Sequence, residues 1–400
     1  MSDWKTKTLG EVTSYIAKGI TPKYIKEAND DTICVLNQKC NRNFRISYDD
    51  SRLHNNAAKK VPDVKMLKPG DVLINSTGTG TAGRVAQIWD IEALTTIDGH
   101  MILMRPTDEI DPLYYGYSVK AFQAAIESYA EGSTGQTEIN KTRLQNETII
   151  MYPVDKGEQS KIARILAAID EKILLNEKIN KNLLEQVIAL YRNKFVDTVN
   201  DEREICRANE YFDISIGKTP PRKEPQWFST NLQDVAWVSI SDMGTCGLYI
   251  SSSSEQLTKE AVERHNVKVV PDNTILLSFK LTVGRIAITN GEVTTNEAIA
   301  HFKTAKKEIN EYLYCYLKCF NYQTMGSTSS IATAVNSKII KDMPFVVPTD
   351  DELEEFHGLA APMFAKIKAN QIEIDNLTAL RDVLLPKLMS GKLDISDIEI

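Results

Sequence analysis

Gly78-Thr79-Gly80-Thr81-Ala82-Gly83 spells G-x-G-x-x-G, the pattern by which a backbone loop cradles a dinucleotide pyrophosphate. Asp71–Ser76 before it reads as a strand, as such a site requires. Arg84–Ile88 after it reads as a second strand, whereas the pyrophosphate needs a helix N-terminus there. The pattern therefore predicts a tight turn, or one facing a nucleic acid, in place of a cofactor cradle. Pro62-Asp63 and Pro271-Asp272 resemble the start of a nuclease dyad. Neither is followed at a suitable distance by Asp/Glu-x-Lys, and Mg²⁺ chemistry needs those carboxylates. The chain has no lysine-bearing phosphate loop and no Asn-Pro-Pro-aromatic segment of the aminomethyltransferase kind. His54, His100, His265, His301 and His357 are scattered, with no Ser/His/Asp or Cys/His grouping in the spacing. Cys34, Cys40, Cys206, Cys246, Cys315 and Cys319 contain no CxxC pair, which argues against structural zinc and a disulfide framework. They read as reduced thiols of a cytoplasmic protein. Cys315 and Cys319 are predicted to share one face of a helix over Glu311–Phe320.

What remains is a set of polar and basic loop residues. Gln38-Lys39-Cys40-Asn41-Arg42-Asn43-Phe44-Arg45 mixes hydrogen-bond donors with an aromatic ring. Arg and Lys match the guanine edge, and Asn and Gln the adenine edge. Ser76, Thr77, Thr79 and Thr81 are suited to phosphate oxygens. Lys218, Arg222, Lys223, Ser241, Asp242, Lys280 and Arg285 form a comparable set later in the chain. Each also reads as an ordinary solvated residue. Arg84 and Arg285 recur at equivalent places, which favours a shared phosphate or structural bond over a base-specific one. The net charge is −7. That speaks against a free-standing DNA binder. It leaves room for a local basic face, or for a partner that supplies most phosphate contacts.

These residues must be positioned by a framework, and the chain writes that framework twice. Gly19-Ile20-Thr21-Pro22 returns as Gly217-Lys218-Thr219-Pro220. Pro69–Ser76 returns as Pro271–Ser278, and Gly83-Arg84-Val85-Ala86 as Gly284-Arg285-Ile286-Ala287. Thr95-Thr96-Ile97-Asp98 matches Thr294-Thr295-Asn296-Glu297, and Gly132-Ser133-Thr134 matches Gly326-Ser327-Thr328. The order is kept at a spacing near ~200 residues, too long for a solenoid repeat. Two copies of one domain, unlike between the landmarks, are what two different specificities require.

Each copy ends in a long amphipathic stretch. Ile162, Leu166, Ile169, Ile173, Ile179, Leu183, Val187 and Leu190 recur at helical spacing after Pro153. Phe356, Ala360, Met363, Ile367, Ile374, Leu377 and Leu384 do so after Pro348, with Pro362 marking a kink or a late start. One heptad column reads Ile162, Ile169, Asn176, Leu183, Leu190, and its counterpart Phe356, Met363, Asn370, Leu377, Leu384. Both break with Asn at the same rung. If the helices pack antiparallel, Asn176 and Asn370 are expected to face each other and fix the register. Alternatively both face solvent. A pair of ~35-residue helices is a rod of roughly 50 Å, suited to two DNA segments about one ~34 Å turn apart.

The 400-residue chain, 42% hydrophobic, has room for two or three domains and contains no membrane-length apolar run. MSDWKTKTLGEV at its start lacks the apolar core of a secretory signal. Over essentially its whole length the chain resembles the specificity subunit of type I restriction–modification systems. The resemblance rests on Trp4 with Leu9-Gly10-Glu11-Val12, the two Gly-x-Thr-Pro segments, both Gly-Ser-Thr segments with Asn140-Lys141 and Asn336, and the ending Leu380–Gly391. It departs from the pattern in that Gln136 has no counterpart after the second Gly-Ser-Thr, and Ala208-Asn209-Glu210-Tyr211 stands where a second Leu-Gly-Glu opening belongs.

The resemblance implies an α+β architecture. Two mixed, strand-rich target recognition domains, 1–154 and 200–349, alternate with helical regions, 155–199 and 350–400, forming an antiparallel coiled coil. It implies that each domain reads half of a split DNA site, with Ser133, Thr134, Ser327 and Thr328 added to the DNA-facing candidates. The helices are then a ruler and a dock for two modification subunits. No cofactor is implied for this chain; S-adenosylmethionine belongs to the modification subunits and ATP with Mg to the restriction subunits. The competing readings are an enzyme, against which the missing motifs speak, and a scaffold that binds only protein, which the acidic charge permits.

Overall fold

The computed structural model describes residues 3–132, 137–198, 203–325, 335–393 and 395. The chain divides into two compact units. One comprises Met1–Lys172 with Leu377–Ile400, the other Ile173–Asn376.

In the first unit, an antiparallel sheet runs in the order Thr13–Lys18, Met101–Pro106, Val72–Asn75, Val85–Gln87. A second sheet has the order Thr95–Ile97, Thr32–Leu36, Arg52–Asn55, Tyr24–Ile25, and its first two strands are parallel. The other unit repeats both. Asp213–Ile216, Ile299–Lys303, Ile275–Ser278 and Ile286–Thr289 form one sheet, extended by Tyr249–Ile250. Thr294–Thr295, Val235–Val238, Gln256–Leu257 and Phe228–Ser229 form the other, with its first two strands again parallel. The sequence repeat is thus a repeat of strand order and direction.

The strands are apolar on both faces because each face has its own core. Successive side chains of a strand point to opposite sides. Val72 and Ile74 enter a core with Tyr114, Ile150 and Leu166, while Leu73 between them packs with Leu36 and Ile97. The second unit does the same, with Ile275 and Leu277 on one side and Leu276 on the other. Continuous apolar runs are the signature of such doubly covered strands. Gly19 and Gly217 are needed where the chain crosses from one sheet to the other. A Cβ there would lie 2.1 Å from the Asp98 carbonyl oxygen and 2.0 Å from Thr295 Oγ1.

Trp4–Thr8 pairs antiparallel with Ile149–Pro153, which leads into a helix over Lys156–Tyr191. Ile205–Arg207 pairs with Pro344–Val346 before a helix over Asp350–Met389. Buried Gln159 fixes the start of the first helix on its domain. It accepts from the Asp111 amide at 2.7 Å and donates to the Glu109 and Pro153 carbonyls. The second helix is unbroken through Pro362, so it neither starts late nor stops there.

Each unit takes the start of one helix and the end of the other, running antiparallel. In the first, Ile162, Ala163 and Leu166 share a core with Leu385, Leu388 and Met389. In the second, Val187, Tyr191 and Phe195 meet Leu353, Phe356 and Ala360. Asn176 and Asn370 are both buried at 1% exposure, but the expected bond between them is replaced. Asn176 donates to Glu373 Oε2 and Asn370 to Asn180 Oδ1, each at 2.8 Å. Helical side chains lean toward their own N-terminus. In an antiparallel pair the two amides therefore lean past one another, and each finds a partner about one turn along.

Candidate nucleic-acid interface

The same two stretches come together in both units. In the first, the turn Gln38–Cys40 lies against the loop that follows strand Val72–Asn75. Asn75 Nδ2 donates to the Gln38 carbonyl at 3.1 Å, and a Cβ on Gly78 would meet Gln38 Oε1 at 2.5 Å. In the second, the turn Asp242–Gly244 lies against the loop after Ile275–Ser278. The Arg285 guanidinium donates to the Ile240 carbonyl, and a Cβ on Gly244 would meet it at 2.4 Å.

Within the first surface, Lys39, Arg42 and Thr79 are exposed and Gln38 is half-buried. Asn41 and Ser76 are fully buried, which removes both from the DNA-facing set. Asn41 donates instead to Asn75 Oδ1 at 3.2 Å and to the Arg84 carbonyl at 2.8 Å, tying the two stretches together. Ser76 sits with its backbone bonded to His100 and Ile139. Thr77 bonds His100 Nδ1 at 2.8 Å, and Arg84 reaches back to the Gly80 carbonyl at 3.0 Å. Arg45 donates to the Asp170 carbonyl of the long helix at 2.6 Å, so it anchors the stretch.

The sequence reading missed that Asn41–Ile46 is a hairpin. Its two central residues, Asn43 and Phe44, have φ of 52° and 64°, as a two-residue hairpin turn of this hand requires. The turn holds Arg42 and Asn43 out to solvent, while Phe44 packs on Tyr117 at 4.9 Å between ring centres. Asn43 was the available signal, since Asn tolerates this conformation, and no glycine announces it.

Within the second surface, Lys218, Lys223, Ser241 and Lys280 are exposed. Arg222 is held. Its guanidinium pairs with both Glu255 carboxylate oxygens, at 2.9 and 2.8 Å, and lies over the rings of Phe228 and Trp237. Burial works against ionisation of Glu297. The Thr219 hydroxyl, with the Lys280 and Arg222 charges, outweighs it and holds that carboxyl below its usual range. Arg84 and Arg285, equivalent in sequence, each bond a backbone carbonyl, of Gly80 and of Ile240. Ser133, Thr134, Ser327 and Thr328 lie outside the described residues, as does Gln136.

The glycine-rich loop leads straight into strand Val85–Gln87, so no helix N-terminus meets it. Gly83 has φ +87°, and its Cβ would lie 2.6 Å from Glu127 Cα, which accounts for that glycine without a ligand. Among the described residues no group of His, Cys, Asp and Glu is arranged to hold a metal ion. Nor is any helix among them long and apolar enough to cross a membrane. The six cysteines are unpaired.

Comparison with known proteins agrees with this geometry. The family model described as the type I restriction modification DNA specificity domain matches twice, over residues 1–185 and 200–360. The chain is 26% identical to the type I restriction enzyme MjaIX specificity subunit of Methanocaldococcus jannaschii, over 99% of this chain and 95% of that one. It is 20% identical to the HindI specificity subunit of Haemophilus influenzae, over 98% of this chain and 100% of that one. The crystal structure of the type I restriction–modification S subunit from M. genitalium has a similar fold. It aligns with a TM-score of 0.54 at 16% identity, over 97% of this chain and 96% of that one. Duplicated sheets, a long helix closing each copy, and a family match to each half lead to one conclusion: the chain belongs to the type I restriction–modification DNA specificity family, as a specificity subunit.

Proposed function

We propose that this subunit reads a DNA site in two parts, one with each strand-rich copy, and performs no catalysis of its own. The carrying observation is the recurrence of one turn-against-loop surface in both units with different side chains. Gln38, Lys39, Arg42, Thr77 and Thr79 belong to one, and Ser241 and Lys280 to the other, with Lys218 and Lys223 exposed elsewhere in the second unit. A shared framework with unlike surfaces is the arrangement expected of two readers with different targets. Base edges are read by such donors in the groove, and phosphates position them.

The two helices, 36 and 40 residues long, set the spacing between half-sites and dock two modification subunits. At 1.5 Å per residue they are ~54 and ~60 Å long, enough to span one ~34 Å helical turn of DNA. With a net charge of −7, much of the phosphate neutralisation falls to those partners. S-adenosylmethionine is then used by the modification subunits, and ATP with Mg by restriction subunits, in the cytoplasm.

The test is genome-wide mapping of methylated adenines with and without this gene, followed by exchange of Gln38–Arg45 for the matching stretch of another specificity subunit. One half of the methylated site should change and the other stay. Methyl transfer from S-adenosylmethionine by the purified chain alone would refute the non-catalytic reading. Unchanged methylation on deleting the gene would refute the recognition reading.

A further inference from the structure

The loop after strand Ile275–Ser278 is rigid at its base and strained at its tip. Ser278 Oγ donates to the Thr282 carbonyl at 2.6 Å and accepts from the Arg285 amide at 3.0 Å. The Gly284 amide returns to the Ser278 carbonyl, and the Phe279 amide is bound by Ala298, each at 2.9 Å. On this frame the Thr282 amide donates to the Lys280 carbonyl at 2.6 Å. Leu281, at the centre of that three-residue turn, has φ +59°. A γ-turn with positive central φ is the rare and strained form, and a side chain branched at Cγ gains nothing from adopting it.

Packing does not explain the leucine either. Leu281 is 99% exposed, more than any other large hydrophobic residue among the described residues. The framework does not demand it, because the matching loop of the first unit carries Gly78, Thr79 and Gly80 at its tip. Strained backbone in an otherwise well-bonded structure points to a use outside the fold.

The surroundings indicate the chemistry of what meets it. Lys280 is exposed beside it, and the loop adjoins the segment bearing Lys218, Arg222 and Lys223: the Phe279 amide is bound by Ala298, next to Glu297, which accepts from the Thr219 hydroxyl. An apolar point beside the exposed Lys218, Lys223 and Lys280 suits a polyanion with an apolar interior. Double-stranded DNA has phosphates outside and stacked bases within, and apolar side chains of DNA-binding proteins do enter base steps.

We propose that Leu281 is a wedge that inserts between adjacent base pairs of the half-site engaged by the second unit and unstacks them. This rests on the DNA-reading role proposed above and deepens it. The first unit, with glycines at the same place, leaves its half-site stacked.

The experiment uses the full chain assembled with its modification partner. A 50-base-pair duplex pool of random sequence is selected on the complex, and the enriched site is rebuilt with 2-aminopurine or pyrrolo-cytosine at each position in turn. Apart from the target adenine that the modification partner turns out of the stack in each half-site, fluorescence should rise at one further step in the half-site of the second unit and at none in the other half. Leu281→Gly and Leu281→Ala should lose that rise, and Leu281→Met should keep it. Leu281→Gly relieves the turn, so it should melt no lower than the parent chain, which separates loss of the wedge from loss of folding. Absence of such a further step in the parent complex, or a further step that survives Leu281→Gly, overturns the wedge. If Leu281→Gly instead lowers the yield of the assembled complex while unstacking persists, Leu281 is a subunit contact and the wedge is likewise overturned. Failure of any sequence to enrich overturns the DNA-reading role, and this inference with it.

Discussion

Asp170 is the joint between the first globular copy and both long helices, and its removal gives a measurable loss. The carboxylate accepts from the Tyr117 hydroxyl at 2.8 Å and from the Arg381 guanidinium at 2.9 Å, while its backbone carbonyl accepts from Arg45 at 2.6 Å. Tyr117 comes from the helix Pro112–Ala121, Arg381 from the second long helix, and Arg45 from the hairpin. Burial, with the Asp170 charge beside it, pushes the Tyr117 phenol well above its usual range, so it stays a donor at any ordinary pH. Asp170 and Arg381 side chains are only 14% and 17% exposed. Breaking one side of such a pair costs about 3–5 kcal/mol. Asp382 also holds the Arg381 guanidinium, at 2.8 Å. The low end, about 3 kcal/mol, is therefore expected for Asp170→Ala.

Global melting mixes two compact units, so hydrogen exchange read by mass spectrometry is the better assay. At a tenfold change per 1.4 kcal/mol, amides of strands Val72–Asn75 and Met101–Pro106 should exchange roughly a hundredfold faster. Asp170→Asn keeps an acceptor for Tyr117 and should cost less. Protection within about threefold of the parent chain in Asp170→Ala would show that the joint lies elsewhere.

Two further outcomes are specific enough to check. His301 is buried between the Ser215 and Thr295 hydroxyls, and burial, then the nearby Lys303 charge, pushes its pKa down to about 3. The unfolded chain takes up that proton near pH 6.5 and the folded chain does not. Stability is thus fully present above that pH and falls as pH drops below it. Between pH 6.5 and 5 the loss should be about 2 kcal/mol. Urea titrations should show a shallower pH dependence for His301→Gln, and equal slopes would contradict the assignment. Gly217→Ala places a methyl group 2.1 Å from the Asn296 carbonyl oxygen. It should cost at least about 2 kcal/mol by chemical denaturation. Gly358→Ala, with open space around it in the second long helix, should be neutral or stabilising, and a reversed order would refute the packing argument.

The duplication was legible because its landmarks are positions where geometry allows few residues. Gly19 and Gly217 sit where a Cβ would strike a neighbouring strand, and Gly83 and Gly284 hold positive φ. The helices were legible because their apolar stripe survives over many turns. The meeting of the candidate stretches was legible only in outline. Both stretches singled out in each copy do meet, but nothing local distinguishes Asn41 and Ser76, which are buried, from Arg42 and Thr79, which are exposed. Side-chain type announces capacity for hydrogen bonding, and only the fold decides which way it faces. The Asn rung was misregistered for a related reason: heptad columns fix which face packs, not how far one helix slides along the other.

Biosynthesis inherits a constraint from the sharing of helices between units. The first unit is interrupted at Lys172 and resumes only at Leu377. Its core stays open toward Leu385, Leu388 and Met389 until those residues leave the ribosome. At ~5–20 residues per second that interval is roughly 10–40 s. During it, Ile162, Ala163 and Leu166 have no second helix to cover them, so the nascent chain exposes an apolar stripe that the finished protein conceals.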